Sequence, residues 1–491
     1  MPPDTPLDPR TVRMILISIA MLLLLASLDQ TIVSTALPTI VADLGGVEHL
    51  SWVVTSYFLA STVVAPLYGK LGDLYGRRNT IFVSVTLFLL GSVLCGLAQS
   101  MTGLILARAV QGLGGGGLFV LALSVVGEVI PPRERGKVQG VFAAVFSLSS
   151  VLGPLIGGWF VDAFSWHWIF YINLPVGLIA LGTFAASFKP TGRRVSHKID
   201  WAGAAFLTIA LAALTLFTSL GGRSFAWTSP QAIALAAAAI VATLAFLYAE
   251  SKAQEPILPL SLFRLNVFWV TSVVGFIAGA AMFGTITFLP VYLQIARGVT
   301  PTVSGLMLVP MTLGILTAST LCGRYMRRTG RYGRLPKLGT ATLMVGMLLL
   351  TQLQADSPAL YIYVSIALVG LGMGCIFPVV TTSVQSAVPR EQLGTATASG
   401  IMFRQIGGAL AVAFFGAVFA ARLGLDMTTG PLSPETVATM PEAARLAIGG
   451  QVSHALHPIF WIAAALALTG LAFSFALREI PLFKAGQAKP A

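Results

Sequence analysis

The sequence predicts an all-α membrane protein that crosses the bilayer many times. About fourteen apolar stretches, most of them near the length that a helix needs to cross the hydrocarbon core, follow one another from Met14 to Leu477. Charged residues make up 10% of the 491 residues, against about 25% in a soluble domain, and the mean hydropathy is +0.85. Segments such as Met14–Ala26 do not alternate apolar and polar residues, which argues against a transmembrane β-barrel.

The apolar stretches define the predicted transmembrane helices. Their boundaries are 14–37, 51–69, 80–98, 103–126, 138–160, 168–188, 200–220, 231–250, 267–294, 302–322, 337–354, 359–384, 395–419 and 457–477. Asp29, Arg108 and Arg404 are the chief ionisable residues inside these spans. Because a charge at membrane depth costs several kcal/mol, each of these residues is a functional hypothesis by default.

The distribution of Lys and Arg sets the predicted orientation. With the N-terminus in the cytoplasm, 24 of the 30 Lys and Arg residues fall in cytoplasmic tails and loops, and four fall in loops on the other side. This asymmetry follows the positive-inside rule and predicts that both termini are cytoplasmic. Since orientation in the membrane accounts for the net charge of +12, we do not expect nucleic acid as a partner.

The two halves of the chain carry weak internal similarity. The loop at 69–78 (GKLGDLYGRR) is matched by 323–334 (GRYMRRTGRYGR), and 108–112 (RAVQG) is matched by 404–408 (RQIGG). Duplicated halves are typical of transporters that bind substrate between them. The predicted organisation is a cytoplasmic tail at 1–13, a six-helix bundle at 14–188, a two-helix insertion with inner linkers at 189–266, a second six-helix bundle at 267–477 with an outer loop at 420–456, and a cytoplasmic tail at 478–491.

The loop GKLGDLYGRR has a regular spacing that an ordinary basic loop does not explain. Gly69 and Gly76 permit a tight turn between two helices. Asp73 lies between the spans with Arg77 and Arg78 just beyond it, so its carboxylate can pair with arginine and face helix termini. We predict that these five residues latch two helices together at the inner face.

Five segments together resemble the major facilitator superfamily. The loop at 69–78 is similar to the signature motif of that family, and 28–40 (LDQTIVSTALPTI) resembles the span 1 motif of its drug:proton antiporter branch. The segments 106–117 (LARAVQGLGGGG), 152–158 (LGPLIGG) and 166–177 (WHWIFYINLPVG) resemble the motifs of spans 4, 5 and 6. The resemblance covers essentially the whole chain and is to EmrB/QacA-type multidrug exporters with fourteen spans.

This resemblance implies a major facilitator fold of two six-helix bundles plus two additional central helices. It implies a drug/H⁺ antiporter in a bacterial cytoplasmic (inner) membrane, driven by the proton gradient without a cofactor, and we expect a monomer. Two positions depart from the family pattern. His167 stands where the family usually has Arg, and the loop at 323–334 lacks a counterpart of Asp73, which predicts a weaker second latch.

Asp29 and Arg108 are the predicted proton-coupling residues. At 1.5 Å per residue they lie about 12 Å and about 8 Å from the outer ends of spans 1 and 4, so a contact is possible. The proton affinity of a carboxylate depends on its burial and on nearby positive charge, so a contact that forms and breaks would let Asp29 take up and release a proton. A buried structural ion pair is the alternative, and the resemblance does not fix which residue carries the proton.

The fifth span groups Gly153, Gly157 and Gly158 around Pro154, in the segment that resembles the antiporter motif. Small residues at four-residue spacing let helices approach closely, and a proline removes a backbone hydrogen bond and can kink a helix. A close-packed seam of this kind would seal a gate. Generic packing of small residues is the alternative interpretation.

Arg404 lies in the thirteenth span with no acidic residue at its depth. It either bonds backbone carbonyls or lines the cavity, near Gln405, and meets an anionic group. Spans 9–14 contain no Asp or Glu, so we expect small lipophilic substrates that are neutral or carry one positive charge. Residues that could line an adaptable pocket, or could instead pack in the core or face lipid, are Phe276, Met282, Phe283, Met307 and Met311.

Several other functions lack support in the sequence. The GxGxxG pattern at 112–117 lies in a membrane helix with no preceding strand, and no Walker-type motif is present, so we do not expect nucleotide binding. Cys95, Cys322 and Cys375 have no paired or metal-ligand spacing, so we expect core residues and no metal site. Without a cluster of catalytic acids or histidines, we expect no enzyme. An exporter of an endogenous metabolite or lipid on the same fold is the alternative function.

Overall fold

The structure, a computed structural model, is helical throughout the residues that it describes. In these residues an isolated bridge between Gly221 and Phe225 is the only strand-like pairing. The described residues are 8–45, 50–188, 200–221, 225–299, 301–354, 356–423 and 442–482. The predicted all-α class is therefore confirmed.

The first part of the chain forms long helices joined by short connections. The helices are α1 (Pro9–Leu44), α2 (Leu50–Tyr75), α3 (Arg77–Gly96), α4 (Met101–Val129), α5 (Pro132–Ala163), α6 (Trp168–Tyr171) and α7 (Asn173–Ser187). The sixth predicted span is thus interrupted at Ile172. Pro175 falls in the first turn of α7, where its missing N–H has no intrahelical partner to lose.

Nine further α-helices follow in the residues that the structure describes. They are α8 (Trp201–Leu220), α9 (Pro230–Lys252), α10 (Asn266–Val291), α11 (Pro301–Leu306), α12 (Val309–Thr329), α13 (Leu335–Leu350), α14 (Ala359–Ala387), α15 (Leu393–Leu423) and α16 (Glu442–Phe475). The tenth predicted span is divided into α11 and α12 by a turn at Met307 and Leu308. Pro310 lies in the first turn of α12, the position in a helix that tolerates proline best.

A helix occupies the position of every predicted span. In the described part of the chain, twelve helices are long and apolar enough to cross a membrane. The other two predicted spans coincide with α5, of 32 residues, and α13, whose 16 residues are fewer than the roughly 20 that a span needs. The structure supports a multi-pass membrane protein, and the count of fourteen spans stays a prediction.

The chain divides into two compact units. Unit 1 comprises Met1–Ala212, Ile240–Leu262 and Val388–Met402, and unit 2 comprises Ala213–Ala239, Phe263–Ala387 and Phe403–Ala491. The division passes through α15, so the N-terminal part of this helix, Leu393–Met402, belongs to unit 1.

In unit 1, α4 packs against α2 and α3 through a stripe of glycines. A Cβ atom at Gly114 would lie 2.2 Å from the backbone nitrogen of Phe88, and one at Gly116 would lie 2.2 Å from the carbonyl oxygen of Ser61. Real Cβ atoms essentially never come so close to another atom, so these positions need glycine. The GxGxxG pattern at 112–117 therefore contributes to close helix packing.

Unit 2 buries an apolar core between α10, α12, α13, α14 and α16. Gly370 on α14 lies so near α12 that a Cβ atom there would be 2.0 Å from the carbonyl oxygen of Met311. Cys322 and Cys375 belong to this core. Both are free thiols and buried, and so is Cys95 in unit 1, which confirms that the cysteines are core residues.

Candidate functional site

The structure brings Asp29 and Arg108 into direct contact in unit 1. A guanidinium nitrogen of Arg108, Nη1, donates to Asp29 Oδ2 at 2.7 Å. The two side chains are 0% and 2% exposed, so the ion pair is cut off from solvent. The two residues lie on α1 and α4, and the helical depth count had predicted that these positions are at similar levels.

The second oxygen of the Asp29 carboxylate is also fully occupied. Asp29 Oδ1 accepts from Gln111 Nε2 at 2.7 Å and from Asn173 Nδ2 at 3.0 Å. The same two amides donate to the Ser92 hydroxyl at 2.9 Å and 3.2 Å. Side chains from α1, α3, α4 and α7 therefore close a network around one carboxylate, and we call these four residues, with Arg108, the Asp29 network.

Arg108 is held from several sides. Its Nη1 also donates to Gln111 Oε1 at 2.6 Å, which is possible because residues three apart share a helix face. Its Nε donates to the carbonyl of Val53 at 3.3 Å, and its guanidinium lies 4.3 Å from the ring centre of Tyr57 and 5.9 Å from that of Phe170. Cation–π contacts of this kind are strongest when desolvated, so the positive charge is well compensated here.

The geometry of the Asp29 network has a chemical consequence. The Asp29 carboxylate accepts three hydrogen bonds, one from an arginine and two from side-chain amides. Because the donors lie on α4 and α7, a movement of either helix away from α1 would change the surroundings of this carboxylate. In addition, Asn173 Oδ1 is buried and has no hydrogen-bond partner among the described residues, so the network contains one acceptor to which a water could donate.

Two of the five predicted latch residues, Gly69 and Asp73, lie against the N-terminal part of α15. Asp73 Oδ1 accepts from the backbone N–H of Gly394 at 2.9 Å, and Oδ2 accepts from that of Thr395 at 2.8 Å. Both donors lie in the first turn of the helix, where N–H groups lack intrahelical partners and the helix dipole favours an anion. Arg77 Nη2 donates to Asp73 Oδ1 at 3.2 Å. Asp73 thus contacts both an arginine and a helix terminus, and its role as a latch stays a prediction.

The rest of the latch sequence supports this contact. A Cβ atom at Gly69 would lie 2.6 Å from Ala398 Cβ, so α2 and α15 touch closely beside Asp73. Gly76 lies between α2 and α3 and has a φ of 86°, a backbone conformation that favours glycine. Arg77 also pairs with Glu128, and Arg78 donates to the carbonyl of Ala185 at 3.0 Å.

The second-half loop has a carboxylate that the sequence comparison did not reveal. Glu479, which follows α16, accepts from the N–H of Gly333 at 3.1 Å and also from that of Tyr332. The N–H of Leu482 donates to the carbonyl of Gly330 at 2.9 Å. The loop between α12 and α13 is therefore held by the end of the chain and not by an aspartate of its own.

The span 5 glycines pack α5 against α1 next to the Asp29 network. A Cβ atom at Gly153 would lie 2.1 Å from Thr31 Oγ1, and the hydroxyls of Ser27 and Ser149 are 2.6 Å apart. Gly157 is buried and Gly158 has open space around its Cβ position. The side chain of Pro154 lies outside the described residues, although α5 runs without interruption from Pro132 to Ala163.

A substitution at Gly153 should cost stability, whereas the same change at Gly158 should not. Gly153→Ala places a methyl group against Thr31 and forces α5 away from α1, which we expect to cost about 1–3 kcal/mol. Gly158→Ala is the matched control because nothing lies within 4 Å of its Cβ position. Thermal unfolding of the two purified variants checks this, and equal unfolding temperatures would contradict the close packing.

Within the described part of the chain, Arg404 in unit 2 has no charged partner, whereas Arg108 is paired with Asp29. Its guanidinium lies 5.0 Å from the ring centre of Phe377 on α14. No acceptor for its N–H groups is found among the described residues, so the predicted bonds to backbone carbonyls are not seen there. Its neighbour Gln405 has a buried Oε1 that also lacks a hydrogen-bond partner.

The five predicted pocket residues fall into three groups. Phe276 lines an apolar pocket in unit 2 together with Leu410, Phe414 and Leu466. Met282 and Phe283 are partly buried, on the same helix. The last two, Met307 and Met311, are buried in the apolar core of unit 2 and are 7% and 4% exposed.

Three members of the Asp29 network were not singled out from the sequence. Asn173 lies inside the segment 166–177 that was compared with span 6, and its signal was a polar amide within an apolar helix. Ser92 and Gln111 are likewise polar residues at membrane depth, but uncharged groups carry a weaker signal than a charge. A search for polar residues at the depth of Asp29 would have found all three.

Comparison with known proteins agrees with this architecture. Residues 19–412 match the Major Facilitator Superfamily. The chain is 40% identical over 469 residues to an uncharacterized MFS-type transporter of Mycobacterium tuberculosis, covering 94% of this chain and 68% of that protein. It is 40% identical over 411 residues to the multidrug transporter protein MdtP of Bacillus subtilis, covering 83% and 75% of the two chains.

The fold is also that of a solved structure. The human organic anion transporter MFSD10 (TETRAN) superimposes with a TM-score of 0.65 at 16% identity, covering 94% of this chain and all of that one. At this identity the likeness concerns the fold alone. The family match over most of the sequence and the relatives at 40% identity lead to one conclusion: the chain belongs to the major facilitator superfamily of membrane transporters.

Proposed function

We propose that this transporter is a proton-coupled exporter of hydrophobic compounds, neutral or monocationic, that works by alternating access. The observation that carries the proposal is the Asp29 network, because it holds a titratable carboxylate and an arginine together at membrane depth. Membership of a transporter family already makes the chain a transporter and not an enzyme, and relatives named as multidrug proteins support export.

Protonation of Asp29 would change the balance of charges in unit 1. A neutral carboxyl no longer compensates Arg108, and it no longer needs donors on both oxygens. The donors of α4 and α7 would then separate from α1, which exposes Asp29 to the opposite side of the membrane. Protons would enter from outside and leave to the cytoplasm, while substrate moves outward.

The Asp73 contact would be the element that the cycle makes and breaks. Asp73 on α2 holds the first turn of α15, and this helix continues into unit 2. Separating α15 from α2 would break the hydrogen bonds between the Asp73 carboxylate and the N–H groups of Gly394 and Thr395. The contact would therefore favour the state in which the inner ends of α2 and α15 are together.

The finer assignment follows the resemblance of the sequence motifs. We assign the chain to the drug:proton antiporter branch with fourteen spans, the EmrB/QacA type, in a bacterial cytoplasmic membrane with both termini in the cytoplasm. We further propose that it acts as a monomer and uses the proton gradient without a cofactor. The positive-inside distribution of Lys and Arg supports the orientation.

Dye movement in proteoliposomes tests the proposal. With an imposed pH gradient, we expect the protein to accumulate a lipophilic monovalent dye against its concentration gradient, and we expect a protonophore to abolish the accumulation. Empty liposomes with the same gradient are the control. If the folded protein moves no dye under any gradient, the drug-exporter assignment fails, and an endogenous metabolite or lipid becomes the substrate to seek.

A further inference from the structure

Arg404 is a positive charge at membrane depth that has no compensating negative charge among the residues that the structure describes. It lies eleven residues after the start of α15, about 16 Å along the helix, and Phe377 lies about 15 Å from the inner end of α14. The sequences of α10, α12, α13, α14 and α15 contain no Asp or Glu. A guanidinium here is costly unless something pairs with it, so its presence indicates a ligand or a partner that is not part of these helices.

The surroundings of Arg404 orient the guanidinium. A Cβ atom at Gly279 would lie 2.1 Å from the carbonyl oxygen of Arg404 and 3.0 Å from its Cγ, so α10 touches α15 directly beneath the side chain. Phe377 stacks against the guanidinium, with 5.0 Å between the guanidinium carbon and the ring centre. Stacking of this kind covers a face of the guanidinium and leaves the N–H groups at its edge available. The side chain is partly exposed and not sealed as Arg108 is.

Asp29 and Arg108, the two charged residues at membrane depth in unit 1, are not available to bind a ligand. Asp29 is fully buried and already accepts three hydrogen bonds, and Arg108 is neutralised by it. Arg404 is therefore the charge at membrane depth that is both partly exposed and unpaired among the described residues. Its charge is positive, so it attracts an anionic group.

We propose that Arg404 and Phe377 form a recognition site for the carboxylate of a lipophilic monoanionic substrate. The fork of N–H donors matches a planar carboxylate, and the Phe377 ring gives the apolar part of the substrate a surface to pack on. This inference rests on the proposed export function and extends its substrates from neutral and monocationic compounds to lipophilic carboxylates.

Equilibrium binding to the purified protein in nanodiscs tests the site, because it needs no gradient. The probes are a fluorescent lipophilic carboxylic acid and its methyl ester, which share the fluorophore and differ in charge. We expect the wild type to bind the acid about tenfold to a hundredfold more tightly than the ester. Arg404→Gln should remove this preference with little effect on the ester, and Arg404→Lys should keep part of it.

The thermal unfolding temperature of each variant shows whether it is folded. Arg404→Gln breaks no ion pair, so we expect it to unfold at the wild-type temperature or above. If Arg404→Gln fails to fold, Phe377→Leu decides: loss of the ring should weaken binding of the acid, and unchanged binding of the acid would overturn the proposal. Equal wild-type binding of acid and ester, or an acid preference that survives Arg404→Gln, would overturn the proposal. A different outcome is that the protein prefers the acid through Arg404 but shows no proton-driven dye transport. That result would count against the antiport mechanism and not against the recognition site.

Discussion

Arg108→Gln should destabilise the protein by about 3–5 kcal/mol, the cost of breaking a buried ion pair by removing one partner. The change leaves the Asp29 carboxylate fully buried without its arginine and removes the cation–π contact with Tyr57. Gln111 and Asn173 still donate to Asp29, but neutral donors do not replace a full positive charge. Unfolding of the purified protein in detergent, followed by helical circular dichroism, measures the loss.

A double variant separates the ion pair from other effects of the substitution. Asp29→Asn with Arg108→Gln leaves no unpaired charge in the network, so it should be clearly more stable than Arg108→Gln alone. Arg404→Gln is the matched control, because it removes an arginine that has no charged partner among the described residues. If Arg108→Gln and Arg404→Gln unfold alike, the network does not depend on the Asp29–Arg108 pair.

Asp73→Asn should loosen the first turn of α15 and slow transport by about tenfold or more, since hydrogen bonds to a charged group are worth about 1.5–3 kcal/mol. In the wild type, the two carboxylate oxygens of Asp73 accept from the backbone N–H groups of Gly394 and Thr395. Asparagine keeps one of these acceptors and places its NH₂ group, a donor, against the other N–H group. Arg77 also loses a carboxylate partner. Hydrogen–deuterium exchange of a peptide that covers Val388–Gly400 should accelerate.

Asp43→Asn provides the control for Asp73→Asn. Asp43 accepts one hydrogen bond, from Trp166 Nε1 at 2.8 Å, and the oxygen of an asparagine can accept it as well. We therefore expect Asp43→Asn to leave exchange at α15 and transport unchanged. Wild-type exchange of the α15 peptide in Asp73→Asn would show that Asp73 does not hold this helix terminus.

The sequence indicated that an Asp29–Arg108 contact is possible, because both residues are charged, lie in apolar spans and reach similar depths. Their neutral partners were harder to foresee. Asn173 joins the network through the position at which α7 starts, and that start depends on a break near Pro175 which hydropathy alone does not reveal. A charged residue in a membrane span strongly indicates a functional site, whereas an amide or a hydroxyl in a span indicates one only weakly.

The partner of Asp73 could not have been identified from the sequence. The motif at 69–78 predicted an arginine and a helix terminus, but the terminus belongs to α15, 321 residues away from Asp73 at Gly394. A backbone N–H has no sequence signature, so no pattern points to it. Glu479 is a similar case, since its carboxylate supports the loop at Gly330–Gly333 from the far end of the chain.

The most direct test of the account compares wild type with Asp29→Asn in proteoliposomes under an imposed pH gradient. Asparagine is nearly isosteric with aspartate and can still accept from Arg108, but it cannot carry a proton. We expect the wild type to accumulate a lipophilic monovalent dye against its gradient, and Asp29→Asn to move the dye only to equal concentrations on the two sides. If Asp29→Asn accumulates the dye as the wild type does, Asp29 does not couple protons to transport.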